Sequence, residues 1–352
     1  MVLAAGTGSS AFHLLAATRL TRPVFLVALG AGTIWTSGQQ WVVFTIRRGF
    51  GDVMKVLVAV DSITTLDILL DEMIARSWPA GTEARLLSIV EDAEIPSKVW
   101  REDGYEISAV RREMHRRGEQ ITALAVERLR QNGISSRVVI MRGNPEFLIS
   151  FAARSWPADL IIMRAHNRKD FRSRLLGSVA KSVIENAPCS VEVIRPREKA
   201  DGFRVLLATD GSAASIAAAH AIAEMSLPEN TEVRVVSAVN PMIYSLEELG
   251  LTGDTGTDNA HRAIGNAVQV LSAAPLKISA EVIAGNAARQ IVARARHWGA
   301  DLIVLGTNER RGLSRLLFGS TSAGVASRAH CSVRVIRRKE SVNLFQESKK
   351  AA

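Results

Sequence analysis

Aromatic residues are scarce in this 352-residue chain, at 5% of positions. Proteins that hold single-stranded nucleic acid set aromatic side chains between basic ones, and no stretch here interleaves the two. Cysteine is scarcer still. Cys189 and Cys331 are the only two, too few for a disulfide framework or a cysteine-rich zinc site. The seven histidines are dispersed, none at a metal-ligand spacing from another His or a Cys. Such usage fits a reducing compartment. The chain also lacks a Walker-type glycine-rich loop with its Lys, a Ser-His-Asp order, and a pair of carboxylates arranged for acid–base work. A dedicated enzyme is therefore the less expected class.

What the chain does have is apolar residues and positive charge. Hydrophobic residues make up 47% and charged residues 22%, ample for packed cores, and the length suits about two domains. The formal net charge of +9 taken alone favours acidic partners. The Lys and Arg residues are scattered, however, so generic basicity is the expectation and no nucleic-acid partner is foreseen.

Residues 1–53 stand apart. They hold a single acidic residue, Asp52, against Arg19, Arg22, Arg47 and Arg48. Val24–Ile34 and Trp41–Ile46 are apolar, but Thr36–Gln40 separates them, whereas a spanning helix wants about 20 uninterrupted apolar residues. Three readings fit this segment: a translation start placed too early, a weak membrane anchor, or a targeting signal. Met54 directly precedes Lys55–Asp61 (KVLVAVD), which reads as the natural opening of a domain. Membrane attachment is not the expectation.

An internal repeat organises the remainder. Lys55–Asp61 corresponds to Arg204–Asp210 (RVLLATD), Thr82–Val90 to Thr231–Val239, and Ala158–Met163 (ADLIIM) to Ala300–Leu305 (ADLIVL). Ala187–Arg195 (APCSVEVIR) corresponds to Ala329–Arg337 (AHCSVRVIR). Gly143, Gly177 and Cys189 each recur 142 positions later, at Gly285, Gly319 and Cys331, whereas Asp61 recurs 149 positions later at Asp210. The first copy is therefore seven residues longer between its first strand and its Gly-Asn turn. The expected divisions are 1–53, an extension; 54–196, the first domain; 197–203, a linker; 204–338, the second domain; and 339–352, a polar tail.

Within each copy short β-branched runs alternate with helical stretches. In the second, strands are expected at Arg204–Thr209, Val233–Val239, Ile278–Ala284, Asp301–Gly306 and Ser332–Arg337. Helices are expected at Ala213–Met225, His261–Ala274, Ala287–His297 and from Ser320. Runs such as LIVL and LIIM are apolar throughout, as strands buried on both faces must be. The expected fold class is α/β: two tandem doubly wound domains of flavodoxin or Rossmann type, each a five-stranded parallel sheet with helices on both faces.

In such sheets ligands bind beyond the carboxyl ends of the strands, where strand order reverses. In the second copy Asp210-Gly211-Ser212 follows the first strand. Asp210 there has two possible roles, accepting from a ribose hydroxyl or capping the next helix. Gly306 closes the fourth strand, and Gly319-Ser320-Thr321 opens a helix whose free N–H groups suit a phosphate.

These residues resemble the universal stress protein family, over about residues 54–338. The family carries Gly, two residues, Gly, nine residues, then Gly-Ser or Gly-Thr around the phosphates and ribose of ATP. Gly306, Glu309 and Gly319-Ser320 keep that spacing with one glycine replaced. The resemblance implies a nucleotide-contacting set of Asp210, Gly211, Ser212, Ala238, Gly285, Gly306, Glu309, Gly319, Ser320 and Thr321, with no catalytic residue and no resident metal. Glu309 would repel phosphates unless it turned outward or met a cation such as Mg²⁺. Arg310, Arg311 and Arg315 either offset it or form a solvated loop.

In the first copy Arg164 and Asn167 replace the glycines, and Asp61-Ser62 lacks the following glycine. Either Arg164 obstructs phosphate approach, or Arg164, Arg168 or Lys169 serves an anion in an altered site. The expected function is a cytoplasmic stress-response protein binding ATP, with or without Mg²⁺, in its second domain. Its partners are adenine nucleotide, an unidentified protein, and its own other half, paired through Val191–Ile194 and Val333–Ile336 as the family pairs its last strands. A further homodimer stays open. A nucleotide-free scaffold and a slow ATP hydrolase are the alternatives. Cys189 and Cys331 are expected to be buried small hydrophobes, and His166 and His330 surface or helix-end residues.

Overall fold

The computed structural model describes residues 53–61, 63–76, 78–90, 107–165, 176–197, 202–240, 242, 256–307 and 320–337. The first half runs β1 (Lys55–Val60), α1 (Ile63–Ile74), β2 (Glu83–Val90), α2 (Ile107–Gln131), β3 (Ser135–Arg142), α3 (Pro145–Ser155), β4 (Leu160–Arg164), α4 (Ser178–Asn186) and β5 (Ser190–Ile194). The second runs β6 (Arg204–Ala208), α5 (Ala213–Ala223), β7 (Glu232–Val239), α6 (Gly256–Leu271), β8 (Lys277–Ala284), α7 (Ala287–Trp298), β9 (Leu302–Gly306), α8 (Ser320–Arg328) and β10 (Ser332–Ile336). Each half is parallel throughout, with the order third, second, first, fourth, fifth. The expected α/β class therefore holds. The two five-stranded sheets fuse, through antiparallel pairing of β5 with β10, into one sheet of ten strands.

Local chemistry explains why the repeated segments recur. Asp159 and Asp301, the acids of the two Ala-Asp-Leu-Ile runs, each accept the backbone N–H that opens the first strand of their half, Lys55 and Arg204, at 2.8 Å. Arg85 lies over Trp156 and Arg234 over Trp298, at 4.2 and 4.5 Å from the ring centroids, a cation–π contact in each half. The Gly-Asn turns start helices: Gly143 and Gly285 have φ of 135° and 130°, a region that favours glycine. Asn144 and Asn286 then cap α3 and α7 through their side-chain oxygens.

The seven extra residues of the first copy fall between β2 and β3, where α2 has 25 residues and α6 has 16. Helix α6 begins at Gly256, five residues before the expected His261. Its first turn is polar, so apolar periodicity gives no sign of it. The other strand and helix limits of the second half lie within a few residues of expectation.

Helices α1 and α2 cover one face of the first half, and α5 and α6 the same face of the second, each pair over its own apolar core. On the opposite face α3, α4, α7 and α8 cover one continuous core that includes Ile161, Val191, Val193, Ile303, Val333 and Val335. A core that crosses from one half to the other makes the halves a single packing unit. Cys189 and Cys331 both lie in it as free thiols, and burial pushes the Cys331 thiol up to about 12.

The seam between the halves is polar at two levels. Beyond the last strands, arginines cross it in both directions. Arg195 donates to the carbonyl of Ala326 at 2.7 Å in the last turn of α8, and Arg337 donates to Ile184 and Glu185 at 2.8 Å in the last turn of α4. A cation there answers unpaired carbonyls and the negative end of the helix dipole. At the centre, Glu192 on β5 is wholly buried and lies opposite Arg334 on β10. Arg334 Nε donates to it at 2.6 Å, and Arg76, just past α1, donates two more bonds at 2.7 and 2.9 Å. Burial alone would push the Glu192 carboxyl up, but the two guanidiniums outweigh it and hold the group at about 2.

Candidate functional site

The strand order of the second half reverses between β6 and β9, which are neighbours. The chain leaves β6 for α5 on one face and leaves β9 for α8 on the other. That divergence opens the crevice in which α/β sheets take ligands. Because β5 and β10 are antiparallel, the matching crevice of the first half, between β1 and β4, opens on the opposite edge of the ten-stranded sheet.

The turn after β6 is built from hydroxyls. Thr209 Oγ1 bonds the Ser215 hydroxyl at 3.1 Å, both side chains buried. The Ser215 hydroxyl donates to the carbonyl of Ser212 at 3.0 Å, and Ser212 Oγ accepts the N–H of Ser215, capping α5. Asp210 Oδ1 accepts the N–H of Ser212 at 3.0 Å. Of the two roles open to Asp210, the capping one belongs to Ser212, while Asp210 shapes the turn and stays exposed at the rim. Partial burial pushes the Asp210 carboxyl up, but hydrogen bonds from Ser212 and Ser215 outweigh that and leave it below its ordinary value. It is a fixed anion at the carboxyl end of β6. Gly211 has φ 76°, and a Cβ there would stand 3.2 Å from that of Ala263 on α6.

Gly306 has a different reason to be glycine. A Cβ built on it would stand 2.3 Å from the carbonyl carbon and oxygen of Ala214 and 2.6 Å from the nitrogen of Ser215. The end of β9 thus touches the first turn of α5 backbone to backbone. Ser322, buried in the first turn of α8, donates to the Gly306 carbonyl at 3.3 Å. Gly306 is consequently the point where both diverging helices meet the switch.

Of the remaining candidates, Ala238 lies one residue before the end of β7 and is partly buried against the shared core. Gly285 follows β8 and donates its N–H to Val239 at 2.9 Å, and a Cβ on it would meet the Gln290 side chain at 2.7 Å. Ser320 is exposed and Thr321 half-buried, as the first two residues of α8. Asp210, Ala238, Gly285, Gly306, Ser320 and Thr321 thus gather at the carboxyl edge of one sheet. Glu309 and Gly319, with Arg310, Arg311 and Arg315, lie outside the described residues, as do His166, Asn167, Arg168 and Lys169. Sequence reasoning missed the buried hydroxyls Thr209, Ser215 and Ser322. The signal was there in a hydroxyl on each side of the Asp-Gly-Ser turn.

The first half lacks this construction. Val60 and Leu66 stand where Thr209 and Ser215 do, both buried and apolar. Arg164 ends β4 in the place of Gly306, and α1 packs less closely on β4 than α5 does on β9. An open depression of ≈ 440 Å³ lined by Arg112, Arg116, Arg142 and Glu119 lies at the ends of β2 and β3, beside the switch point of that half and not at it. Among the described residues, no helix is long and apolar enough to cross a membrane, and no group of three His, Cys, Asp or Glu side chains is placed to hold a metal.

Fold and site together define a class: two Rossmann-like domains in tandem, paired through their last strands, with a hydroxyl-braced, glycine-ended switch point in the second of them. The sequence matches the model of the universal stress protein family twice, over residues 53–195 and 203–337, and the chain belongs to that family. A universal stress protein of Methanocaldococcus jannaschii is 30% identical over 38% of this chain and 82% of its own length. Another, from Synechocystis, is 26% identical over 63% of this chain and 73% of its own. Among solved structures, a universal stress protein from Archaeoglobus fulgidus superposes with a TM-score of 0.56 at 19% identity, over 81% of this chain and 97% of that one. At that identity the likeness speaks for the fold alone.

Proposed function

We propose that the protein is a cytoplasmic stress-response protein whose second half binds ATP or a related adenine nucleotide, with a regulatory and not a metabolic role. The observation that carries this is the contrast between the halves. The second keeps Asp210, the hydroxyl-braced turn and Gly306 around its switch point, and the first has replaced the braced hydroxyls with apolar side chains and the strand-end glycine with Arg164. In this reading Asp210 accepts from the ribose hydroxyls, and the N-terminus of α8 with Ser320 and Thr321 receives the phosphates. A bound Mg²⁺ would relieve the repulsion between Glu309 and the phosphates. The first half serves as the built-in dimer partner. Two cysteines that stay free and buried suit a reducing compartment.

The test is thermal unfolding of the full chain with and without Mg-ATP. A ligand of the folded state at a hundredfold excess over its Kd stabilises by about 2.7 kcal/mol, roughly 5–10 °C for domains of this size. The shift should vanish in Gly319→Trp, weaken in Asp210→Ala and survive in Gly177→Trp. No shift at millimolar nucleotide would leave a nucleotide-free interaction scaffold.

A further inference from the structure

The seam has a feature that the repeat makes visible. In the antiparallel register Val193 faces Val333, Glu192 faces Arg334, and Val191 faces Val335. Glu192 and Arg334 are 142 positions apart, the same offset that relates Gly143 to Gly285 and Cys189 to Cys331. They are therefore the same position in the two copies, and that position lies on the pseudo-twofold axis. In a pair of identical domains joined this way, the residue on the axis would face itself. Here a carboxylate faces a guanidinium.

We propose that Glu192 and Arg334 make this seam heterotypic: the last strand of the second half fits a partner strand with an acid on the axis, and that partner is the first half. The inference is independent of nucleotide binding. If two second halves paired, Arg334 would face Arg334 in a site that is 7% exposed. Helix α5, Ala213–Ala223, carries no Asp or Glu to answer them, and Met225 stands in that half where Arg76 stands in the first. Two unpaired guanidiniums out of water carry a desolvation cost that nothing offsets. If two first halves paired, the Glu192 carboxylates would face each other with one Arg76 apiece, a milder conflict. Pairing first with second half gives each group a partner, since Glu192 receives both Arg76 and Arg334. The flanking valines and the exchanged helix caps of Arg195 and Arg337 are nearly symmetric and select no partner. The charge on the axis does. A tandem chain with a self-compatible axis would link chain to chain into polymers as readily as it closed on itself, apart from the advantage of the tether.

The experiment uses the full-length chain and three variants, Glu192→Arg, Arg334→Glu and the exchange of both. Light scattering after gel filtration and thermal unfolding are the readouts. The wild type should close its seam within one chain, and each single variant should lower the unfolding midpoint by roughly 10 °C, as breaking a buried ion pair does. The double variant restores the same three side chains and should recover more than half of that loss. Co-expressing the two single variants should give a 1:1 complex of two chains, because the new guanidinium of Glu192→Arg in one chain then meets the new carboxylate of Arg334→Glu in the other. Glu192→Gln, which keeps the shape, provides the stability reading if the larger side chain of Glu192→Arg prevents folding. Single variants as stable as the wild type, or a double variant as damaged as both singles together, would overturn the proposal. So would co-expressed variants that show no preference for each other.

Discussion

Replacing Gly306 by alanine should destabilise the protein in the absence of any ligand. The added Cβ would stand 2.3 Å from two backbone atoms of Ala214, well inside van der Waals contact, and neither β9 nor α5 has a flexible side chain there to yield. Strand β9 is held on both sides, by β6 and β10. The first turn of α5 is braced by the Thr209–Ser215 and Ser212–Ser215 hydrogen bonds. Relief therefore requires shifting a whole element by about an ångström. Overpacking of this kind costs about 1–3 kcal/mol, which lowers the midpoint by roughly 2–12 °C in domains of this size. Thermal unfolding of the apo protein, followed by far-UV circular dichroism, measures it directly. An alanine variant that melts with the wild type but fails to bind nucleotide would refute the packing argument. The glycine would then serve ligand approach alone.

Three further expectations rest on the same geometry. Glu192 is depressed from an ordinary 4.5 to about 2, so its contribution to stability is complete above pH 4.5 and is lost as the pH falls toward 2. The lost increment is about 3 kcal/mol. Urea unfolding across that range should show it in the wild type and not in Glu192→Gln, and identical profiles would contradict the ion triad. Cys331, raised to about 12 by burial, should resist iodoacetamide at about pH 8 until the protein is unfolded. Mass spectrometry showing rapid native labelling would place the thiol outside the core. Arg164→Gly alone should not create nucleotide binding in the first half, since Val60 and Leu66 lack the hydroxyls that brace the turn after β6 in the second. Binding in titration that survives Gly319→Trp would show that the arginine was the sole obstruction.

Much of the architecture is legible in the chain because the repeat makes each half a check on the other. The continuous apolar runs mark buried parallel strands, and the shared offsets of glycines and cysteines show which segments of the two halves correspond. That Asp210, Gly285, Gly306 and Ser320 share one edge follows from the strands being parallel, since each lies at or just after the end of a strand or opens the helix beyond it. Three things escape. The start of α6 escapes because Thr257-Asp258-Asn259 offers no apolar face. The reason for Gly306 escapes because close contact with Ala214 joins segments nearly a hundred residues apart. The meaning of Glu192 and Arg334 escapes because a charge within Val-Glu-Val-Ile reads as an exposed strand position, and only the antiparallel register puts the two on one axis.

The proposed function comes down to one asymmetry: the second half of the duplicated chain keeps a working nucleotide site and the first does not. Isothermal titration of the full-length protein with ATP in the presence of Mg²⁺ tests it most directly, because stoichiometry separates the halves without any mutation. One nucleotide per chain, abolished by Gly319→Trp, is the predicted result. Two per chain would mean that Arg164 and the apolar turn of the first half do not prevent binding, and none would mean that the preserved crevice of the second half is not a nucleotide site.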